Sequence, residues 1–135
     1  MRPKPSCPNF DRSSVERLLR ELYGARTAAE LDRLCALFAP EAFFRIAGSS
    51  DGKPISITAR GTAEIASWLG VLVKTFKISR HEIMSTLIDG TRAAVQWRAS
   101  IHSRITGVDV ATELVDVVET REGLITSYVE LFVPE

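Results

Sequence analysis

The sequence has few of the residues that build disulfide frameworks or metal sites, since its 135 residues include only two cysteines and two histidines. Cys7 lies in a proline-rich segment and Cys35 in a predicted helix, so we expect two free thiols in a reducing compartment and no metal site. No apolar stretch approaches the roughly 18 residues of a membrane span. The N-terminus also lacks the apolar core of a signal peptide. The expected location is therefore the cytoplasm.

An excess of one charge is also absent, because 17 basic residues balance 17 acidic residues. Nucleic acids and anionic membranes attract proteins with a basic excess, so we expect neither as a partner. The length predicts one domain with a single core. Residues 1–10 contain three prolines and are expected to form an irregular leader, which leaves 11–135 as the domain.

Three helices are predicted in the N-terminal half of the chain. The first begins at a capping box made by Ser13 and Glu16, and Gly24 ends it. A second capping box, Thr27 with the glutamate three residues later, opens a helix that Pro40 stops. Apolar residues recur at helical spacing again after Gly61, which predicts the third helix.

Alternation of apolar and polar residues predicts six strands. They span residues 42–47, 54–59, 78–88, 93–102, 108–119 and 124–133. The last four follow one another with turns between them, as in an antiparallel meander. The expected fold class is α+β: three helices packed on a strongly curved, mainly antiparallel sheet, in a cone shape that encloses a pocket.

Three charged residues on the last three strands are the candidate catalytic residues. Arg98, Asp116 and Glu130 share even numbering, so they lie on one face if each hairpin loop has an odd number of residues. Residues 121–123 fit a three-residue loop, whereas the turn near 105–107 is less clear. We predict that Asp116 transfers protons and that Arg98 and Glu130 orient the substrate or stabilise charge. The alternative is a solvated Arg98–Glu130 salt bridge with Asp116 in a structural role.

Four segments carry a resemblance to a known family: LDRLCALFAPEAFFRIAG, ARGTAEIASWL, DGTRAAVQW and ELVDVVETREGLITSYVELF. They are similar to the SnoaL-like branch of the nuclear transport factor 2-like superfamily, which includes ketosteroid isomerases, polyketide cyclases and limonene epoxide hydrolases. The resemblance covers about residues 13–133. It implies a cone-shaped fold with a deep pocket, and commonly a dimer through the outer face of the sheet.

The ketosteroid isomerases provide one set of implied positions. Their general-base aspartate falls on Ile46, and their oxyanion-hole tyrosine falls on Leu22, with Tyr23 adjacent but expected to point elsewhere. Their oxyanion-hole aspartic acid, which an apolar site keeps neutral, falls on Asp116. The resemblance therefore implies one of the three isomerase groups.

The limonene epoxide hydrolases provide a second set. Their arginine falls on Arg98 and one of their aspartates on Glu130, whereas the other aspartate falls on Ser100. Their two water-holding residues fall on Phe44 and Ile46, which are apolar. The implied site keeps the ion-pair framework of these hydrolases without their complete machinery.

One face of the predicted sheet is assigned to the pocket, and the opposite face is assigned to a dimer interface. The expected ligand-binding residues are Leu22, Phe44, Ile46, Trp68, Gln96, Ser100, Leu114, Tyr128 and Phe132. The opposite face, expected to be buried in a homodimer, carries Val95, Trp97, Ile101, Val115, Val117, Val129 and Leu131. His102 is expected at the rim of the pocket, and His81 is expected to be exposed.

Two functional hypotheses remain open from the sequence. The first is a cofactor-independent enzyme with a partly apolar pocket, acting on a small organic molecule by isomerase, cyclase, dehydratase or epoxide-opening chemistry. The second is a non-catalytic binding or dimerisation module of the same fold, in which the polar groups only satisfy one another. Replacement of Asp116 by asparagine separates them, because only an enzyme would lose turnover.

Overall fold

The computed structural model describes residues 8–50 and 53–133. Its elements are α1 (Pro8–Thr27), α2 (Leu31–Cys35), β1 (Phe38–Ser50), β2 (Lys53–Arg60), α3 (Gly61–Thr75), β3 (Phe76–Asp89), β4 (Arg92–Ser103), β5 (Asp109–Arg121) and β6 (Leu124–Phe132). The predicted class is confirmed: the fold is α+β, with three helices packed on one curved sheet. None of the helices in the described residues is long and apolar enough to cross a membrane.

The six strands form one sheet in the order β2-β1-β6-β5-β4-β3. All neighbouring pairs are antiparallel except β1 and β6, which run parallel. This pairing joins the first and the last strand of the chain and puts β6 in the middle of the sheet. Side chains alternate between an inner face, which packs against the helices, and an outer face.

The helix boundaries differ from the sequence prediction in three places. α1 begins at Pro8, five residues before the predicted capping box, so the end of the expected irregular leader is helical and residues 1–7 lie outside the described part. Proline is tolerated there because the first turn of a helix leaves its N–H groups unpaired. α1 also passes through Gly24 to Thr27, whose hydroxyl donates to the Tyr23 carbonyl at 2.8 Å.

The second helix is shorter than predicted, because its expected last residues belong to β1. Thr27 ends α1, so it does not cap α2, and the N-cap residue Glu30 makes no side-chain capping hydrogen bond. Pro40 lies inside β1, where the pairing with β6 shifts register between Phe38 and Phe43. A strand accepts proline at such an irregularity because no ladder hydrogen bond is lost there.

Candidate functional site

A pocket of about 900 Å³ lies between the helices and the inner face of the sheet. Its walls are mainly aliphatic, with Ile57 from β2, Leu69 from α3 and Ile101 from β4 among them. The pocket floor consists of Arg26 and Glu130, whose side chains are 14% and 1% exposed. The mouth is lined by exposed residues at the starts of β3 and β5 and in the loop between β4 and β5.

Arg26 reaches the floor from the last turn of α1. Residues three and four apart share one side of a helix, so Arg26 lies on the same side as Leu22 and Tyr23. Both of those neighbours are buried, at 1% and 5% exposure, because this side of α1 packs into the core. The arginine therefore enters the pocket from a helix that its apolar neighbours hold in place.

Two acids come side by side from neighbouring strands. Asp116 of β5 pairs with Val95 of β4 on one side and with Glu130 of β6 on the other. Residues directly opposite in adjacent strands point to the same face. Both acids therefore project inward, and they are 0% and 1% exposed.

Three donors converge on one oxygen of Asp116. The Tyr23 hydroxyl donates to Oδ2 at 2.6 Å, the Trp97 indole Nε1–H at 2.8 Å and the Tyr128 hydroxyl at 2.7 Å. The other oxygen, Oδ1, is buried and has no hydrogen-bond partner within the described part of the chain. Asp116 is thus surrounded by aromatic side chains that each offer it one polar hydrogen.

Arg26 binds Glu130 with both ends of its guanidinium. NH1 donates to Oε2 and NH2 donates to Oε1 at 3.0 Å, and NH1 also donates to the Tyr128 hydroxyl at 2.8 Å. The Tyr128 hydroxyl lies 2.7 Å from Asp116 Oδ2 and 3.2 Å from Glu130 Oε2. Because it has one proton, it donates to one acid at a time and connects the two.

The electrostatic balance of this cluster favours one retained proton. Two buried acids share one arginine, so ionising both would leave an uncompensated negative charge away from water. Burial, and then the charge of Glu130, raise the pKa of Asp116 well above its ordinary 3.8. Burial also acts on Glu130, but the adjacent Arg26 outweighs it and holds the pKa of Glu130 below its ordinary 4.5. The proton therefore resides on Asp116, and Glu130 is the ionised partner of Arg26.

The structure does not bring Arg98 to this cluster, so the prediction that it shares a face with Asp116 is wrong. Arg98 pairs with Glu113 in the β4–β5 ladder and forms an exposed ion pair with Glu82 at 2.9 Å on the outer face. The reason is the loop between β4 and β5. The paired residues His102 and Asp109 flank it, with the six residues 103–108 between them. Because six is an even number, even-numbered residues of β4 pair with odd-numbered residues of β5, so Arg98 and Asp116 lie on opposite faces.

In the next hairpin, even-numbered residues pair with even-numbered residues as predicted, although the predicted three-residue loop does not form. Arg121 pairs with Leu124, which leaves a two-residue turn. Glu122 and Gly123 both have positive φ there, 53° and 80°, as the turn type favoured in tight hairpins requires. A register shift after the Glu119–Ser127 pair adds one residue to β6 and restores the even pairing.

The nine expected ligand-binding residues fall into three groups. Ile46, Leu114 and Phe132 line the pocket, whereas Leu22, Phe44 and Tyr128 are buried in the core beside it. Gln96 and Ser100 lie on the outer face for the same reason as Arg98, and Trp68 is 37% exposed on α3 outside the lining. The predicted pocket lining is therefore corrected at three positions. Gln96 and Ser100 lie on the outer face, and Trp68 does not face the pocket from α3.

Because of this even-numbered loop, the inner and outer faces of β4 are the reverse of those predicted. Val95 and Trp97, expected on the outer face, are fully buried on the inner face, and Ile101 lines the pocket. The outer positions of β5 and β6 are as predicted, with Val117 and Leu131 38% and 40% exposed. A reduced apolar patch therefore remains on the outer face.

Sequence reasoning also missed or misplaced residues of the cluster. Tyr23, expected to point elsewhere, donates a hydrogen bond to Asp116, and Arg26 is absent from the predicted site. The available signal was their spacing from Leu19 and Leu22, which puts all four residues on one side of α1. Successive residues of a helix point about 100° apart. An alignment with the isomerases that is displaced by one residue therefore selects Leu22 instead of Tyr23.

His81, expected to be exposed, is half-buried against the cluster. Its ring stacks on Tyr23 with centroids 5.2 Å apart and lies 5.0 Å from the Trp97 ring. Arg80 has a φ of 55° within an irregularity of the β3–β4 pairing, which turns His81 inward. Burial, and then the charge of Arg26, lower the pKa of His81. The imidazole is therefore neutral around pH 7.

No group of three potential metal ligands exists among the residues that the structure describes. The polar groups at and directly behind the pocket floor are a carboxyl pair, an arginine and two phenols. These groups transfer protons and donate hydrogen bonds.

Several solved structures have a similar fold. A putative isomerase from Bacillus subtilis is similar with a TM-score of 0.78 at 19% identity, over 92% of this chain and 89% of that one. An epoxide hydrolase of M. tuberculosis, described as LEH-like, matches with a TM-score of 0.69 at 16% identity, over 90% and 84% of the two chains. A hypothetical protein from Catenulispora acidiphila with a ketosteroid isomerase-like fold, in complex with trimethylamine, gives 0.67 at 18%, over 84% and 82%.

These identities are low, so the likeness shows the shared fold. Among curated proteins, none matches the chain by sequence. The sequence profile of the SnoaL-like domain matches residues 19–128, a segment that runs from α1 to β6 and contains all the residues of the acid pair and its aromatic donors except Glu130. The chain therefore belongs to the SnoaL-like domain family.

Proposed function

We propose that this protein binds a small, mostly apolar organic molecule in its pocket and performs cofactor-independent acid–base chemistry on it. The observation that carries the proposal is the pair of buried acids that share one arginine at the pocket floor. Such a pair keeps a transferable proton at neutral pH, which is what a general acid or base requires. The aliphatic walls provide the burial that an organic ligand needs.

Glu130 and Arg26 are the groups of this cluster that reach the ligand. Arg26 donates hydrogen bonds to a ligand oxygen as negative charge develops on it, for example the oxygen of a ketone or an opening epoxide. Glu130 accepts or returns the proton. Asp116 is 0% exposed and acts behind it, exchanging its proton with Glu130 through the Tyr128 hydroxyl.

The test measures isomerisation of a β,γ-unsaturated ketone and hydrolysis of styrene oxide by purified protein. With turnover of either compound, Glu130→Gln should reduce kcat about 100-fold or more, as expected for the loss of a general acid–base group. Asp116→Asn should alter the pH dependence of kcat as well as its size. Arg98→Met removes an exposed charge far from the pocket and should leave both unchanged. Equal rates for Glu130→Gln and the unaltered protein would contradict the mechanism.

A non-catalytic binding protein is the second candidate function. It is favoured by Ile46, because the resemblance to the isomerases assigns this position to their general base and here it is an aliphatic pocket wall. The two functions separate when a neutral dye such as Nile red binds in the pocket. Dye binding without turnover of any ketone or epoxide supports the binding protein.

We also propose a homodimer through the outer face of the sheet. The support is the patch formed by Val115, Val117, Val129 and Leu131, which lies on the two central strands β5 and β6. Leu131→Lys introduces a charge within this patch, while an equivalent charge at the exposed Ile105 lies outside it. Light scattering should show a dimer that Leu131→Lys dissociates and Ile105→Lys preserves. A monomer at all concentrations would refute the dimer.

A further inference from the structure

Side chains on the inner face of the sheet form rows that cross neighbouring strands, and one row contains the acid pair. Glu130 of β6 is flanked by Asp116 of β5 on one side and by Ile46 of β1 on the other. The pocket mouth lies towards the start of β5. A ligand that enters there passes the next row of side chains, about 7 Å away along the strands, before it reaches Glu130.

That next row consists of Leu114 of β5, Phe132 of β6 and Gly48 of β1. Leu114 pairs with Phe132, and both residues line the pocket. Gly48 directly follows Ala47, which pairs with Leu131, so Gly48 lies beside Phe132. Because glycine has no side chain, the row has a gap on the β1 side, next to the phenylalanine.

The side chain of Phe132 fills this gap. A Cβ added to Gly48 would lie 2.9 Å from Cβ of Phe132, 3.2 Å from its backbone nitrogen and 3.4 Å from Cδ2 of its ring. One edge of the ring therefore lies against β1. Glu130 and the exposed residues at the mouth line the same pocket, so a passage to Glu130 remains beside the ring.

A side chain at Gly48 would disturb both β1 and the ring. Gly48 has a φ of 137°, a conformation that residues with a side chain rarely adopt. An added methyl group would also push Phe132 away from β1. The neighbouring side chain in that direction is Leu114, so the displaced ring would move across the passage to Glu130. The contact of Phe132 with Gly48 therefore keeps this passage open.

We propose that Phe132, packed against Gly48, determines which ligands reach the acid pair. The ring leaves room for a slender polar end, such as a methyl ketone or a terminal epoxide. It excludes a ligand whose carbon next to the polar group carries two methyl groups. The substrate class is thus an organic molecule with an unhindered carbonyl or epoxide. This inference rests on the proposed function, because it requires the ligand oxygen to bind Arg26 beside Glu130.

The test compares two isomeric ketones as competitors of Nile red, a neutral fluorescent dye. One is methyl octyl ketone, and the other is the isomer whose chain carbon next to the carbonyl carries two methyl groups. The two compounds have the same formula and differ in the width of the polar end. The unbranched ketone should displace the dye about tenfold more effectively, as expected when a close-packed passage would have to admit extra methyl groups.

Variants then assign the preference to Phe132. Phe132→Leu should abolish most of the preference by admitting the branched ketone, and Phe132→Met should do the same if the leucine variant folds poorly. Gly48→Ala should weaken the binding of both ketones, and that of the branched ketone more. Phe76→Leu is the matched control, because it makes the same change at a phenylalanine of the pocket mouth that is 37% exposed, and it should keep the preference.

The outcomes distinguish this inference from the proposed function. Equal displacement by the two ketones, or a preference that persists in Phe132→Leu and Phe132→Met, overturns the role of Phe132 while binding of ketones in the pocket stands. Failure of both ketones to displace the dye overturns the proposed ligand class and this inference with it.

Discussion

Removal of Arg26 should destabilise the protein by an amount that depends strongly on pH. Arg26→Met leaves Glu130 buried at 1% exposure without its cation. Breaking a buried ion pair on one side costs about 3–5 kcal/mol, because a charge is left unpaired away from water. Glu130 avoids part of this cost by taking up a proton.

Protonation limits the cost and sets its pH dependence. In the unfolded chain Glu130 has its ordinary pKa of 4.5. Keeping it protonated in the folded variant costs about 1.4 kcal/mol for each pH unit above that value, or about 3.4 kcal/mol at pH 7 and about 0.7 kcal/mol at pH 5. The lost contact of Arg26 with the Trp97 ring, 5.4 Å to its centroid, adds a part that does not vary with pH.

In the unaltered protein, the contribution of Glu130 to stability changes with pH in the opposite direction. There Arg26 holds the pKa of Glu130 below 4.5, so its contribution is fully present above that pH and is lost as the pH falls through the folded pKa. In Arg26→Met the folded pKa is raised, so stability is lost as the pH rises above 4.5. The difference between the two proteins should therefore grow from pH 5 to pH 7.

Urea unfolding followed by tryptophan fluorescence, which changes when the buried Trp97 becomes exposed, measures this difference at both pH values. Two further variants are controls. Arg26→Met with Glu130→Gln removes both charges and should abolish the pH-dependent part. Arg98→Met breaks an exposed ion pair and should cost under about 1 kcal/mol at either pH. An equal, pH-independent loss in the single and the double variant would refute the assignment of charge to this pair.

Three other substitutions test the site and its framework. Asp116→Asn should remove a fall in stability that occurs with rising pH above about 4. Burial raises the pKa of Asp116 in the folded protein above the ordinary 3.8, so the unfolded chain releases this proton first. Urea titrations across pH 4–7 in which the variant keeps the same slope of unfolding free energy against pH would contradict this. Gly48→Ala should cost about 1–3 kcal/mol, since Gly48 has a φ of 137° and an added Cβ would lie 2.9 Å from Cβ of Phe132. Gly70→Ala is the matched control in α3, where the nearest atom is 3.7 Å away, and thermal unfolding should show a gain of about 0.5–1 kcal/mol.

The local patterns in the sequence were sufficient for the type and order of most elements. Period-2 alternation identifies a strand whatever it pairs with, and the predicted strands of the C-terminal meander agree with β3 to β6 within a few residues. The N-terminal elements were less accurate because their limits depend on distant partners. Pro40, a predicted helix stop, lies instead within β1, at an irregularity of its pairing with β6 at the other end of the chain.

The side on which each strand faces the core was harder to predict than the strands. Apolar residues occur on both faces of β4 to β6, so the pattern does not state which face is buried. The answer depends on the length of the loop at 103–108, and one residue more or less there exchanges Trp97 with Arg98. Asp116 was recognised because a lone carboxylate on an apolar face is conspicuous, whereas its donors Tyr23 and Trp97 resemble ordinary core residues.

The composition of the pocket floor is difficult to explain by stability alone. Replacing a buried ion pair by apolar groups of similar size is often neutral or stabilising, because both charges are costly to remove from water. Here the pair is joined by a second acid, so the cluster bears a further cost that an apolar core would avoid. Arg26→Met combined with Glu130→Gln should therefore lose no more stability at pH 7 than the contact of Arg26 with the Trp97 ring contributes, while losing turnover. A large loss of stability in this double variant would show that the cluster holds the fold together, and would remove the main reason for assigning it to chemistry.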